Sequence, residues 1–185
     1  KKISNTDVFS GYTDWHSHLL PGVDDGIKTF DDSLAILSRY ESLGVKRVWL
    51  TPHIMEDIPN TTESLRNRFE ELKSRYSGNI QLSLAAENML DNIFEERLEQ
   101  NDLLPIGDNG DQLLVETSYY NAPVNFWDIL DRIQRKGYHV LLAHPERYRY
   151  MDHSDYERLR DMRVRLQLNV PSLNGFYGQE AKKKA

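Results

Sequence analysis

The chain has 185 residues, 39% of them hydrophobic and 28% charged, with a formal net charge of −6. That length can bury a domain core; the charge opposes general attraction to nucleic acid or an anionic membrane, and no apolar run approaches the ~20 residues of a span. Cysteine is absent, which removes disulfides, thiolate metal sites and thiolate nucleophiles and leaves histidine and carboxylates, donors suited to hard or borderline metals.

The first six residues read as a polar lead-in with no initiator methionine and no signal peptide. Residues 12–16 read as the first strand. Thr29 stands where an N-cap is expected, and Phe30, Leu34, Leu37 and Tyr40 give one helical face that Gly44 ends. Residues 45–50 form the second predicted strand. Leu65, Phe69, Leu72 and Tyr76 mark the clearest helix, and Ser77-Gly78-Asn79 turns the chain into a third strand at 80–86. A weaker helical stretch carries Leu90, Phe94 and Leu98, and the turn Asp108-Asn109-Gly110 leads to a strand at 112–116. A helix at 124–136, a strand at 138–143, a short helix at 155–162 and a strand at 165–170 follow, and 178–185 opens another helix. Alternating strands and helices, with strands apolar on both faces, predict an α/β fold, a barrel of the triosephosphate-isomerase kind or a variant of it.

In such barrels the chemistry gathers at the carboxyl ends of the strands. Here those ends carry His16-Ser17-His18, then Asp24-Asp25 in the following loop, Thr51-Pro52-His53, Glu87, Glu116 and His144-Pro145-Glu146-Arg147. In an extended segment His16 and His18 point to the same side and can converge on one ion. A carboxylate such as Glu87 can bridge two ions, and clustered divalent ions suit an in-line phosphoryl displacement. Arg147 is placed to hold a phosphate bidentately. Each residue also has a plainer reading. A lone His-x-His is a weak signal, Asp24 and Asp25 can serve the turn around Gly22 and Gly26, and Arg147 can belong to a polar surface. His139 and His153 are read as structural, Lys182–Lys184 as a solvated helix face, and Tyr119, Tyr120, Tyr148 and Tyr150 either as lining the mouth of a site or equally as core or rim residues.

The stretch Asp14-Trp15-His16-Ser17-His18-Leu19-Leu20-Pro21-Gly22-Val23-Asp24-Asp25-Gly26 resembles the first motif of the tyrosine phosphatases of the polymerase-and-histidinol-phosphatase (PHP) superfamily. Thr51-Pro52-His53 and His144-Pro145-Glu146-Arg147 resemble that family's later motifs, and Glu87 and Leu114-Val115-Glu116 fall where its ligand glutamates are expected. The resemblance implies a distorted (β/α)7 TIM-like barrel with a site of two or three divalent ions, usually manganese, with iron, zinc, magnesium and cobalt as alternatives. It implies His16, His18, Asp25, His53, Glu87, Glu116 and His144 as ligands and Arg147 as the phosphate contact. It further implies a cytoplasmic hydrolase acting on phosphotyrosine of a protein, in particular a bacterial tyrosine kinase controlling capsule or exopolysaccharide synthesis, with no nucleic-acid partner and no membrane insertion. The rival readings are a phosphatase for a small metabolite such as histidinol phosphate and a non-catalytic binding domain. The family pattern ends in an Asp-x-His motif on its last strand. No histidine follows His153 here, so residues 1–185 are expected to form a single PHP domain that is incomplete at its C-terminal strand.

Overall fold

The structure, a computed structural model, describes residues 7–185, and the polar lead-in at 1–6 lies outside the described residues. The contacts group the chain into two units. One runs up to Ile54 and includes Ile58–Ala86; the other holds Met55–Asp57 and Glu87–Ala185.

In the first unit β1 (Thr13–Ser17), β2 (Arg47–Leu50) and β4 (Gln81–Leu84) form a parallel sheet in the order β1-β2-β4, and a two-residue strand β3 (His53–Ile54) follows β2. Helix α1 (Phe30–Ser42) begins where the sequence places it, because the Thr29 side chain accepts a hydrogen bond from the Asp32 N–H. Helix α2 (Thr62–Arg75) is started by a reciprocal capping box between Thr61 and Ser64. Its Leu65, Phe69 and Leu72 are buried, as their spacing predicts, and Leu37, Val48, Leu50 and Ile80 are buried in the same unit. At the carboxyl ends of β1 and β2, the Thr51 N–H donates to Ser17 O at 2.8 Å and the Ser17 N–H donates to Thr51 Oγ1 at 3.1 Å. These bonds set the two loops that carry histidines in register.

In the second unit β5 (Glu87–Met89), β6 (Gln112–Glu116), β7 (His139–Ala143) and β8 (Arg165–Gln167) succeed one another as parallel neighbours. Helices α3 (Asn92–Gln100), α4 (Phe126–Arg135) and α5 (His153–Asp161) alternate with them, followed by the short α6 (Val170–Leu173) and α7 (Gln179–Lys184). Phe126, Ile129, Leu130 and Ile133 of α4 pack with Phe94, Leu98, Val115, Val140 and Leu142 in one apolar cluster. Burying side chains of this size stabilises the unit by about 1.5–3 kcal/mol each.

The alternation of parallel strands and helices agrees with the α/β expectation, but hydrogen bonding among the described residues makes two sheets and no closed barrel. The predicted strand at 80–86 is one correction. Its pairing ends at Leu84, and Glu87 opens β5 in the other sheet, paired with Leu114 of β6. Glu87 thus stands at the start of a strand rather than at the end of one. The two-residue β3 and the four-residue α6 are additions that no periodicity could announce. Among the described residues no helix is long and apolar enough to cross a membrane.

Candidate functional site

The first unit gathers His16 from the end of β1, His18 and Asp25 from the loop that follows it, and His53 from the start of β3. The Nε2 atoms of His16 and His18 lie 3.2 Å apart, so the two imidazoles converge as the His-x-His spacing requires. The rings of His18 and His53 are 4.5 Å apart, and His53 Nε2 lies 3.5 Å from Asp25 Oδ1. His18, Asp25 and His53 each offer a ligand atom within 4.8 Å of the others. Imidazole nitrogens with a carboxylate oxygen suit a borderline divalent ion, and the 78% exposure of the Asp25 side chain leaves that corner open to solvent.

A residue outside the expected ligand set organises this group. The Asp24 side chain is fully buried. Its Oδ2 lies 2.8 Å from His18 Nδ1 and accepts from the His53 N–H at 3.1 Å, while its Oδ1 accepts from the Gly26 N–H at 2.9 Å. Burial raises the Asp24 pKa, but the bonds and charge of His18 and the two backbone donors outweigh it and hold the carboxyl below its usual range. A carboxylate on Nδ1 fixes the tautomer that leaves Nε2 as the ligand atom. The turn reading therefore holds for Asp24 only in part: it closes the turn and also orients His18. Gly26 is required because a Cβ there would lie 2.3 Å from His18 O. Asn60 joins the two loops by donating to Val23 O and His53 O, each at 2.9 Å.

The second unit gathers Glu87, Glu116 and His144, all nearly inaccessible to solvent. His144 Nε2 lies 2.9 Å from Glu87 Oε1 and 3.7 Å from Glu116 Oε2. The parallel register sets Met89 beside Glu116, so the two glutamates come from the start of β5 and the end of β6. Two buried carboxylates close to one imidazole form an arrangement in which each charge carries a desolvation cost of several kcal/mol. A divalent cation held by Glu87, Glu116 and His144 would supply the compensation such a donor set needs. His144 itself is in the left-handed region, with φ 35° and ψ 50°. A β-carbon makes that conformation unfavourable, and the following Pro145 restricts it further. The surroundings impose it: the His144 N–H donates to Gln167 O at 2.6 Å, and the Arg147 N–H donates to His144 O at 3.0 Å.

Pro145–Arg147 forms a single 3-10 turn after β7 that carries Arg147. The Arg147 guanidinium carbon lies 4.2 Å from the centre of the Tyr119 ring, which itself lies 5.8 Å from the His144 ring. Burial raises the Tyr119 pKa above the usual phenol range, against the pull of Arg147, so the ring stays neutral. Tyr148 does not line a mouth. It is fully buried in the apolar cluster, and its hydroxyl accepts from the Thr117 N–H at 3.1 Å. Tyr150 stacks on it at 5.6 Å, whereas Tyr120 is exposed. His139 and His153 lie apart from these groups, His153 as the exposed first residue of α5 rather than in a loop. Lys184 departs from the solvated-face reading, since its ammonium donates to the carbonyls of Tyr148 and Met151 at 2.6 and 2.9 Å.

The chain matches the family model described as capsular polysaccharide synthesis, CpsB/CapC, over residues 12–185. It is similar to the tyrosine-protein phosphatase YwqE of Bacillus subtilis, with 27% identity over 175 residues that cover 91% of this chain and 68% of that protein. It is also similar to the putative tyrosine-protein phosphatase CapC of Staphylococcus aureus, at 26% identity covering 72% of this chain and 54% of the relative. With the tyrosine-protein phosphatase CpsB of Streptococcus agalactiae it shares 26% identity, covering 80% and 62%. The chain therefore spans between about half and two thirds of the length of these relatives. Among solved structures it superposes with a TM-score of 0.84 and 25% identity, over 94% of this chain and 72% of the other, on a chain from the crystal structures of B. subtilis YwqE and Streptococcus pneumoniae CpsB, described as unique metal-dependent tyrosine phosphatases. The chain belongs to the CpsB/CapC family of capsular polysaccharide synthesis.

Proposed function

We propose that this chain carries the catalytic site of a metal-dependent phosphatase that hydrolyses phosphotyrosine on a protein. The observation that carries the reading is the buried Glu87–His144–Glu116 group, with Arg147 one short turn beyond His144. In this reading His16, His18, Asp25, His53, Glu87, Glu116 and His144 are the ligands, within one PHP domain built as a distorted (β/α)7 barrel. Manganese is the expected metal. The bound ions supply Lewis acidity toward the phosphoryl oxygens and the activation of water.

The chain's own residues do the rest. Asp24 and His18 fix an imidazole in the ligating tautomer. Arg147 presents a fork of N–H donors that matches phosphate oxygens and offsets the charge of the transferring group. The leaving group of phosphotyrosine is a phenol with a pKa of about 10, which departs with less help from a general acid than an alkyl alcohol needs. The relatives named tyrosine-protein phosphatases support phosphotyrosine as the substrate, and a bacterial tyrosine kinase of capsule synthesis in the cytoplasm is the protein substrate we infer.

The test is release of phosphate from a phosphotyrosyl peptide by metal-stripped protein, with and without added Mn²⁺, beside His144→Ala and a phosphoseryl peptide. Manganese-dependent turnover that is lost in the variant and weak on phosphoserine is expected. Equal turnover on both peptides would overturn the substrate assignment, and no metal-dependent release from any phosphoester would overturn the enzymatic one.

A further inference from the structure

Arg147 lies between two tyrosine rings. Its guanidinium carbon is 4.2 Å from the centre of the Tyr119 ring and 4.2 Å from that of the Tyr177 ring. Guanidinium is attracted to aromatic faces, and rings that flank it restrict its rotation while leaving N–H donors for another ligand. Among the described residues no carboxylate pairs with Arg147, in contrast to Arg132, which Glu95 and Glu99 engage together.

Both rings are tied to the turn that carries the arginine. On one side the Arg149 N–H donates to Tyr119 O at 2.8 Å, which fixes the segment after β6 against the exit of the turn. On the other, the buried Glu146, next to Arg147, accepts from Ser172 Oγ at 2.7 Å and from the Asn169 N–H at 3.1 Å. Those bonds hold the start of α6 against the turn and so set the segment that ends in Tyr177. A residue adjacent to the cation therefore anchors the ring that covers it.

We infer that Tyr119 and Tyr177 are positioning residues that hold Arg147 as a preformed phosphate receptor, with Glu146 as the latch that places Tyr177. The inference rests on the phosphatase reading above. Its physical content is preorganisation: an arginine already confined loses less freedom when it closes on phosphate. A phenylalanine at 177 keeps the ring face and preserves the effect, whereas alanine abolishes it.

The experiment measures the binding of inorganic phosphate to the manganese-loaded full chain by calorimetry, with its inhibition constant against a phosphotyrosyl peptide. Wild type is compared with Tyr177→Phe, Tyr177→Ala, Ser172→Ala and Arg147→Ala, and manganese content is measured in each. Tyr177 is 37% exposed, so its replacement leaves the core intact. The expected result is phosphate affinity within about twofold of wild type for Tyr177→Phe, weakened about fivefold to tenfold for Tyr177→Ala and by a smaller factor for Ser172→Ala, with unchanged manganese content. KM should rise more than kcat falls. Weakening by Arg147→Ala with no change in Tyr177→Ala would overturn the positioning role and leave the phosphatase reading standing. Equal losses in Tyr177→Phe and Tyr177→Ala would overturn the ring-face argument. Phosphate affinity that is absent in wild type or unchanged in Arg147→Ala would overturn the receptor itself.

Discussion

Asp24 Oδ2 lies 2.8 Å from Nδ1 of His18, and the same oxygen accepts the backbone N–H of His53. One buried carboxylate thus orients one candidate ligand and fixes the backbone of another. Asp24→Ala is expected to weaken manganese binding about tenfold to a hundredfold, the usual cost of losing such a partner. Asp24→Asn keeps an acceptor and should lose less. Titration of stripped protein with Mn²⁺ checks both, and unchanged affinity in the alanine variant would remove Asp24 from the site.

Much of this geometry was legible in the sequence. The strand 112–116 was predicted with the ends it has, and Thr29 caps α1 as its position suggests, because these features are local. The placement of Glu87 was not legible: Ala85, Ala86 and Glu87 continue a plausible strand, and only pairing with Leu114 moves Glu87 into the other sheet. The orienting role of Asp24 was not legible beyond its turn role, because two adjacent aspartates in a glycine-rich loop look alike in sequence. Burial separates them, with the Asp24 side chain inaccessible and that of Asp25 78% exposed. The core place of Tyr148, one of its two open readings, and the departure of Lys184 from a solvated face have the same origin, since their partners Thr117, Met151 and the Tyr148 carbonyl are brought to them by the fold.

The hydroxyl of Tyr148 is the acceptor for a buried N–H at Thr117, immediately after Glu116. Tyr148→Phe keeps the ring and removes that acceptor, so a buried donor is left unsatisfied at a cost of about 1–3 kcal/mol. Urea unfolding of the two proteins measures the difference, and equal midpoints would show that the bond contributes nothing.

Helix α5 starts at a capping box in which Asp152 accepts from the Ser154 side chain and from the N–H groups of Ser154 and Asp155. The Ser154 side-chain bond, followed by those backbone donors, lowers the Asp152 pKa. A depressed folded-state pKa gives stability that is present above the unfolded value, about 3.9, and is lost as pH falls through the folded value. Asp152→Asn retains an acceptor without that titration. Its melting temperature should therefore fall less than that of wild type between pH 5 and pH 3, and parallel acid limbs would show that Asp152 does not contribute.

Glu87 and Glu116 place two carboxylates in one buried region, with His144 between their oxygens. Without a metal the two charges repel and each is poorly solvated, so neutralising one should relieve the folded protein. Glu116→Gln is the better choice of the two, because Glu87 makes the closer contact with His144. In EDTA the variant is expected to be more stable than wild type by about 1 kcal/mol, the scale on which an active-site charge trades stability for function. With Mn²⁺ the order should reverse, because wild type gains stability by binding the ion and the variant gains less. Thermal melts in EDTA and in excess Mn²⁺ read both signs from the same two proteins. A variant that is less stable in EDTA would show that Glu116 holds the fold rather than a metal. An equal gain on manganese would show that the ion does not use its charge.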